Sequence, residues 1–170
     1  MEATPEIIEK LSQVEIFSDL SQDQEERDRL LTAVCQILEP VKYGAGDIII
    51  KEGDLGDSLF ILYEGTVQVR RKTPNDDQFA VANLSAEQNV FFGEVALVDK
   101  DTRSASVYAL TDCQTLKLEG KSFKELCDAE PILGYHVIFK ISRRIAEALR
   151  RSNKDLMLLY EALIDEVHGS

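Results

Sequence analysis

Phe91-Phe92-Gly93-Glu94-Val95-Ala96-Leu97, followed after a short acidic link by Thr102-Arg103-Ser104-Ala105-Ser106-Val107, is the stretch whose reading decides the fold. Gly93 lets the backbone approach a ligand closely. A helical turn started at Gly93-Glu94-Val95-Ala96 would aim N–H groups at an anion. Arg103 supplies a fork of donors that fits phosphate. Glu94, an acceptor only when ionised, suits hydroxyl groups and not the phosphate itself. The cassette therefore reads as a cradle for a small anion that also carries hydroxyls, placed between apolar strand segments.

A second pattern lies upstream. Gly46, Gly53, Gly56 and Gly65 fall in the order G-D-x-I-x-x-x-G-x-x-G-D, then a strand-like run, then G. These glycines are expected at turns that need positive φ. Ile48–Ile50 and Ser58–Tyr63 read as strands, and Glu64-Gly65 reads as a tight hairpin into Thr66–Arg70. Arg71–Asp77 reads as a polar hairpin tip, after which Phe79, Val81 and Leu84 alternate toward the core. Val107, Ala109 and Leu110, then Thr115, Leu116 and Leu118, give two further strands around Thr111-Asp112. Short strands at this spacing predict an antiparallel β-roll, a double-stranded jelly roll.

Both patterns together resemble the cyclic nucleotide-binding domain family, which includes the catabolite activator protein and kinase regulatory subunits. The resemblance covers about Val14 to Leu163. It implies that Glu94 holds the ribose 2′-hydroxyl and Arg103 neutralises the cyclic phosphate. Gly93, Val95, the backbone around Ala96 and Ala105, and the Ser104 hydroxyl complete the implied cradle. Asn89 stands where the family carries a glycine before F-G-E; asparagine tolerates the left-handed region better than most residues. The ligand implied is cAMP ahead of cGMP, with no cofactor. An alternative reading of the cassette is a Glu94–Arg103 surface salt bridge on an empty roll.

Helices flank the roll, giving an α+β fold with three divisions: an N-terminal helical hairpin over 1–36, the β-roll over 37–119 and C-terminal helices over 120–168. Thr4-Pro5-Glu6 reads as a helix start with Thr4 as N-cap. Ser21 with Gln24 reads as a capping box for a second helix that buries Leu30, Leu31, Val34 and Ile37. Ser122 is expected to cap a short helix, and Pro131 to open a long one without a breaker before Gly169.

Along the long helix, Ile138, Ile145, Ser152 and Leu159 repeat every seven residues, beside Ser142, Leu149, Leu156 and Leu163. Ile132, Tyr135 and Phe139 are expected to pack on the roll. A helix of this length reaches about 50 Å, more than a small roll covers, so its second half needs a partner and a homodimer is the simplest. Ser152 interrupts the seam with Asn153 beside it, and the resemblance implies base contacts there, one crossing the dimer. A second register, with Ser142-Arg143-Arg144-Ile145 on the family's A-R-R-L, places Ala148 and Leu149 opposite the base. A tolerated small residue in the seam is the remaining reading of Ser152.

Composition narrows the classes. The chain has 170 residues and a formal charge of −12, the opposite of a nucleic-acid footprint. Cys35, Cys113 and Cys127 lack C-x-x-C spacing and read as small hydrophobes in a reducing compartment. The N-terminus lacks signal-peptide character, and no apolar run approaches a membrane span of about 18 residues, so a cytoplasmic location is expected. A cupin-type enzyme would need histidines on strands, whereas His136 and His168 fall in the helical C-terminus. The sequence predicts a non-enzymatic sensor acting through an unnamed downstream protein. Its alternatives are a scaffold with a vestigial pocket, or a truncated regulator whose helix-turn-helix would follow Ser170.

Overall fold

The computed structural model describes residues 1–99 and 102–168. Its helices are α1 (Pro5–Gln13), α2 (Gln24–Ile37), α3 (Val95–Val98), α4 (Gly120–Ala129) and α5 (Pro131–His168), with 3₁₀ turns at Glu15–Phe17 and Ala86–Gln88. The strands are β1 (Leu38–Tyr43), β2 (Ile48–Ile50), β3 (Ser58–Glu64), β4 (Thr66–Lys72), β5 (Gln78–Ser85), β6 (Phe91–Phe92), β7 (Ser106–Ala109) and β8 (Cys113–Glu119). They form two antiparallel sheets, ordered β1-β8-β3-β6 and β2-β7-β4-β5. This is the α+β fold with an antiparallel β-roll, N-terminal helices and a long C-terminal helix.

The alternation along β3 explains the architecture. Leu59 and Ile61 join the helix-side core with Leu31, Leu116, Phe123 and Val137, while Phe60 and Leu62 join the roll interior with Val67, Phe92 and Val107. A strand buried on both faces reads as a continuous apolar run, and Ser58–Leu62 is buried throughout. β1 carries Pro40 opposite Leu116. It lies at the sheet edge, where a missing N–H costs no ladder bond.

Several expectations are corrected. Glu64-Gly65 is not a hairpin between paired strands: β3 and β4 belong to different sheets, and the chain crosses between them at Gly65, whose φ is +90°. The same crossing occurs at Thr111-Asp112 between β7 and β8. Phe79 and Val81 are exposed, because β5 is an edge strand whose far end overhangs the roll; Leu84, nearer the centre, is half-buried. α2 is capped by Asp23, whose carboxylate accepts from the Glu26 N–H, while Ser21 bonds the Glu26 carboxylate instead. Cys35 is buried in α2 and Ile37 only half-buried, since the helix ends there as the chain turns into β1. α4 begins at Gly120 without a side-chain cap, which leaves Ser122 inside the helix.

The long helix also docks on a different face from the one expected. Leu133, Gly134, Val137 and Ile141 are buried. Ile132, Tyr135 and Phe139 are exposed, pointing about a quarter-turn or more away. Gly134 is required by this contact, as a Cβ there would stand 2.8 Å from Cys127 Cβ. From Glu147 to His168 every residue is exposed.

Candidate functional site

The cassette turns sharply at Gly93, with φ +78°, and α3 follows with Glu94 as N-cap. Asn89 adopts the left-handed region (φ 51°, ψ 42°) and closes the preceding 3₁₀ turn, so the asparagine preserves the bend. That turn carries a Ser85–Gln88 capping box, a signal present in the sequence as S-x-x-Q but not used above.

Arg103 is the centre of the site. Its backbone is pinned to the β2–β3 loop: Arg103 N–H donates to Asp54 O at 2.9 Å, and Gly53 N–H to Arg103 O at 2.9 Å. Its side chain donates from Nη1 to Gly93 O (3.1 Å) and from Nη2 to Ser58 O (2.7 Å). A Cβ on Gly56 would stand 2.6 Å from Arg103 Cζ. Gly56 is therefore needed for close approach and not for positive φ, unlike Gly46, Gly53 and Gly65. Burial pushes the guanidinium below its ordinary pKa, opposed by Asp57 and Glu94. Among the described residues no carboxylate pairs with Arg103 within ion-pair distance, and the half-buried guanidinium at the cavity donates to the Gly93 and Ser58 carbonyls.

Glu94 does not bridge to Arg103. Its Oε1 lies 3.0 Å from Arg144 Nε, and the Arg144 guanidinium sits 4.3 Å above the Phe91 ring. Arg144 thus ties α5 to the cassette. The sequence marked it only as part of a register match; the Arg143-Arg144 pair beside a cassette glutamate was the available signal. Lower on α5, His136 Nε2 donates to Ser18 O at 2.7 Å, and Lys140 reaches Ser18 Oγ (3.0 Å) and Asp19 (3.3 Å). The Lys140 ammonium holds the Asp19 carboxyl below the usual aspartate range.

Gly93, Glu94, Val95, Ala96, Arg103 and Ser104 line one cavity of about 170 Å³ with Asp99 and Thr102. Ala105 is half-buried beside it. Ser152 and Asn153 do not reach it; both are exposed on the free half of α5. A larger cleft of about 310 Å³ at α1 is lined by Glu6, Glu9 and Glu64 with Lys10 as its one cation, a net negative charge that disfavours an anion. Among the described residues no cluster of His, Cys, Asp or Glu is suited to a metal ion, and no helix is long and apolar enough to cross a membrane.

An antiparallel β-roll whose cassette arginine and glutamate line one cavity is the arrangement these observations define. A model of the cyclic nucleotide-binding domain family matches residues 40–130, and the chain belongs to that family. It is 37% identical over 102 residues to a Drosophila melanogaster cGMP-dependent protein kinase, isozyme 1, covering 58% of this chain and 13% of that protein. It is 32% identical over 96 residues to a Dictyostelium discoideum cAMP-dependent protein kinase regulatory subunit, covering 56% of this chain and 29% of that protein. The crystal structure of Thermus thermophilus catabolite activator protein superposes with a TM-score of 0.69 at 28% identity, covering 84% of this chain and 63% of that one. The chain thus spans a minor part of the curated relatives it matches.

Proposed function

We propose that this cyclic nucleotide-binding regulatory domain is a cytoplasmic, non-enzymatic sensor that takes cAMP ahead of cGMP and signals through α5 to a partner. The observation that carries this reading is Arg103, half-buried at the cavity and held by two carbonyls. An anion with in-plane oxygens satisfies that fork better than neutral carbonyls do, because charge-assisted bonds are the stronger ones. The ribose 2′-hydroxyl donates to Glu94, and Ser104 adds a hydroxyl at the rim.

Glu94 is where ligand and helix meet. In the free protein its carboxylate is taken by Arg144, so a ribose hydroxyl competes for, or shares, that acceptor and changes the hold on α5. The 170 Å³ cavity is smaller than the roughly 300–1,000 Å³ typical of ligand pockets. On this reading it takes the ribose-phosphate and leaves the base outside. We assign the base contacts to Ser152 and Asn153, supplied across a homodimer formed along the Ile145–Leu163 seam. Priority for cAMP rests on the Arg103-Ser104 pair of the resemblance; relatives named for each nucleotide make it a question for titration.

Calorimetric titration of wild type, Arg103→Ala and Arg103→Lys with both nucleotides tests this. Wild type should bind, and Arg103→Ala should lose about 2–5 kcal/mol by leaving the anion unpaired. Arg103→Lys should recover part, lacking the fork geometry. Equal affinity in all three contradicts the cassette reading. Tighter cGMP binding contradicts only the order of preference.

A further inference from the structure

The backbone at Asn89 is left-handed, with φ 51°. A glycine reaches that region without the crowding a Cβ brings, so the conformation alone does not call for asparagine. Its side chain has a specific partner: Asn89 Nδ2 donates to Gln13 Oε1 at 3.0 Å, and Gln13 is the last residue of α1. One turn earlier on that helix, Lys10 Nζ donates to Ala86 O at 2.6 Å, and the same carbonyl accepts the Asn89 N–H at 3.2 Å. The end of α1 thus grips the Ala86–Gln88 turn at its first residue and at its cap.

This grip lies close to the cavity. Val90, Phe91 and Phe92 separate Asn89 from Gly93. Val90 O accepts the Leu62 N–H at 3.0 Å, the two phenylalanines pair with β3, and Phe92 stacks on Phe60. The path of the chain into Gly93 is therefore set from two points, the β3 pairing and the turn at Asn89. Gly93 O holds Arg103 Nη1, and Gly93 and Glu94 line the cavity. The other end of the linkage is anchored as well: Leu11 and Val14 are fully buried, and Ser18, just beyond them, bonds His136 of α5.

We propose that Asn89 is a positioning residue for the cyclic nucleotide site, holding the turn ahead of Gly93 against α1, through Gln13, in the arrangement that accepts ligand. The inference rests on the cyclic nucleotide reading of the cassette. Linkage works in both directions, so bound ligand tightens the same hold on α1. Calorimetric titration with cAMP and cGMP tests it on wild type, Asn89→Gly, Gln13→Ala, the double variant and Gln13→Glu, with thermal melts checking that each folds. Asn89→Gly keeps the left-handed turn and removes the amide, and should weaken binding about two- to tenfold, the span of one net hydrogen bond. Gln13→Ala should weaken it by a similar factor, and the double variant by no more than either alone. Gln13→Glu keeps an acceptor for Asn89 and should bind like wild type. Hydrogen exchange supplies a readout that a merely structural bond leaves unmoved: cAMP should slow amide exchange over residues 10–13 in wild type, and less so in Asn89→Gly. Wild-type or tighter affinity in Asn89→Gly overturns this inference and leaves the cassette reading standing. Additive losses in the double variant overturn the pairing with Gln13. A wild type that binds neither nucleotide overturns both.

Discussion

The two halves of α5 are built on different rules. From Pro131 to Arg144 the helix is held by its own chain: Val137 and Ile141 are buried, His136 and Lys140 bond Ser18, and Arg144 pairs with Glu94. From Glu147 to His168 every residue is exposed. A helix of some 22 more residues adds about 33 Å and a row of exposed leucines. Apolar contacts that a monomer cannot bury mark an interaction surface. The first half answers to the roll and the second presents an exposed apolar surface, with Arg144 and the cassette at the boundary.

The largest effect should separate the halves by stability. Ile141→Ala removes a fully buried side chain and should destabilise the monomer by about 2–5 kcal/mol. Leu149→Ala, at a site 60% exposed, should change monomer stability by under about 0.5 kcal/mol. Denaturant titration at low protein concentration checks both; equal losses would erase the distinction.

Association gives the second contrast. Leu156→Asp places a charge in the seam, which opposes burial, and should yield a species that no longer pairs along that seam. Its cyclic nucleotide affinity should fall with it, because base contacts across the dimer are lost. Sedimentation paired with calorimetry reads this; an unpaired variant with wild-type affinity would keep the dimer and remove the contact.

At the boundary, Glu94→Gln should weaken binding by roughly 1–3 kcal/mol, and by less for the 2′-deoxy analogue. An equal penalty in both backgrounds would take the ribose away from Glu94.

The smallest effect concerns acid. Asp19 has its pKa lowered by Lys140, so its contribution is present above the unfolded-state value and is lost as pH falls through the lowered folded value. Wild type should lose a little stability below about pH 4, and Asp19→Asn should lack that part of the acid loss. Thermal melts across that range decide it; identical acid profiles would leave the Lys140 contact without weight.

The cassette, the glycine turns and the helix order were legible because each is local. Gly93 needs its φ, Pro131 opens its helix, and β3 declares its burial by an unbroken apolar run. What sequence missed was relational. Glu64-Gly65 looks like a hairpin whether its strands pair or part, since the crossing is decided by β8 pairing with β3. Phe79 and Val81 alternate correctly but overhang an edge. Ile132, Tyr135 and Phe139 form an apolar stripe on the side of α5 away from the buried Leu133, Val137 and Ile141, so periodicity marked an apolar face without saying what covers it. Glu94 was placed in the cassette, while its partner Arg144 lies 50 residues further along the chain, beyond the reach of any local pattern.

The central claim is that ligand at the cassette and assembly along α5 are one equilibrium. Coupling is reciprocal, so saturating ligand must shift association by the factor that association shifts affinity. The direct test is the self-association constant of the wild-type chain, by sedimentation equilibrium, without and with saturating cAMP, repeated for Arg144→Ala. The account predicts a several-fold change on adding ligand, reduced in Arg144→Ala. An association constant that ligand leaves unchanged, in a protein that binds it, would contradict the claim.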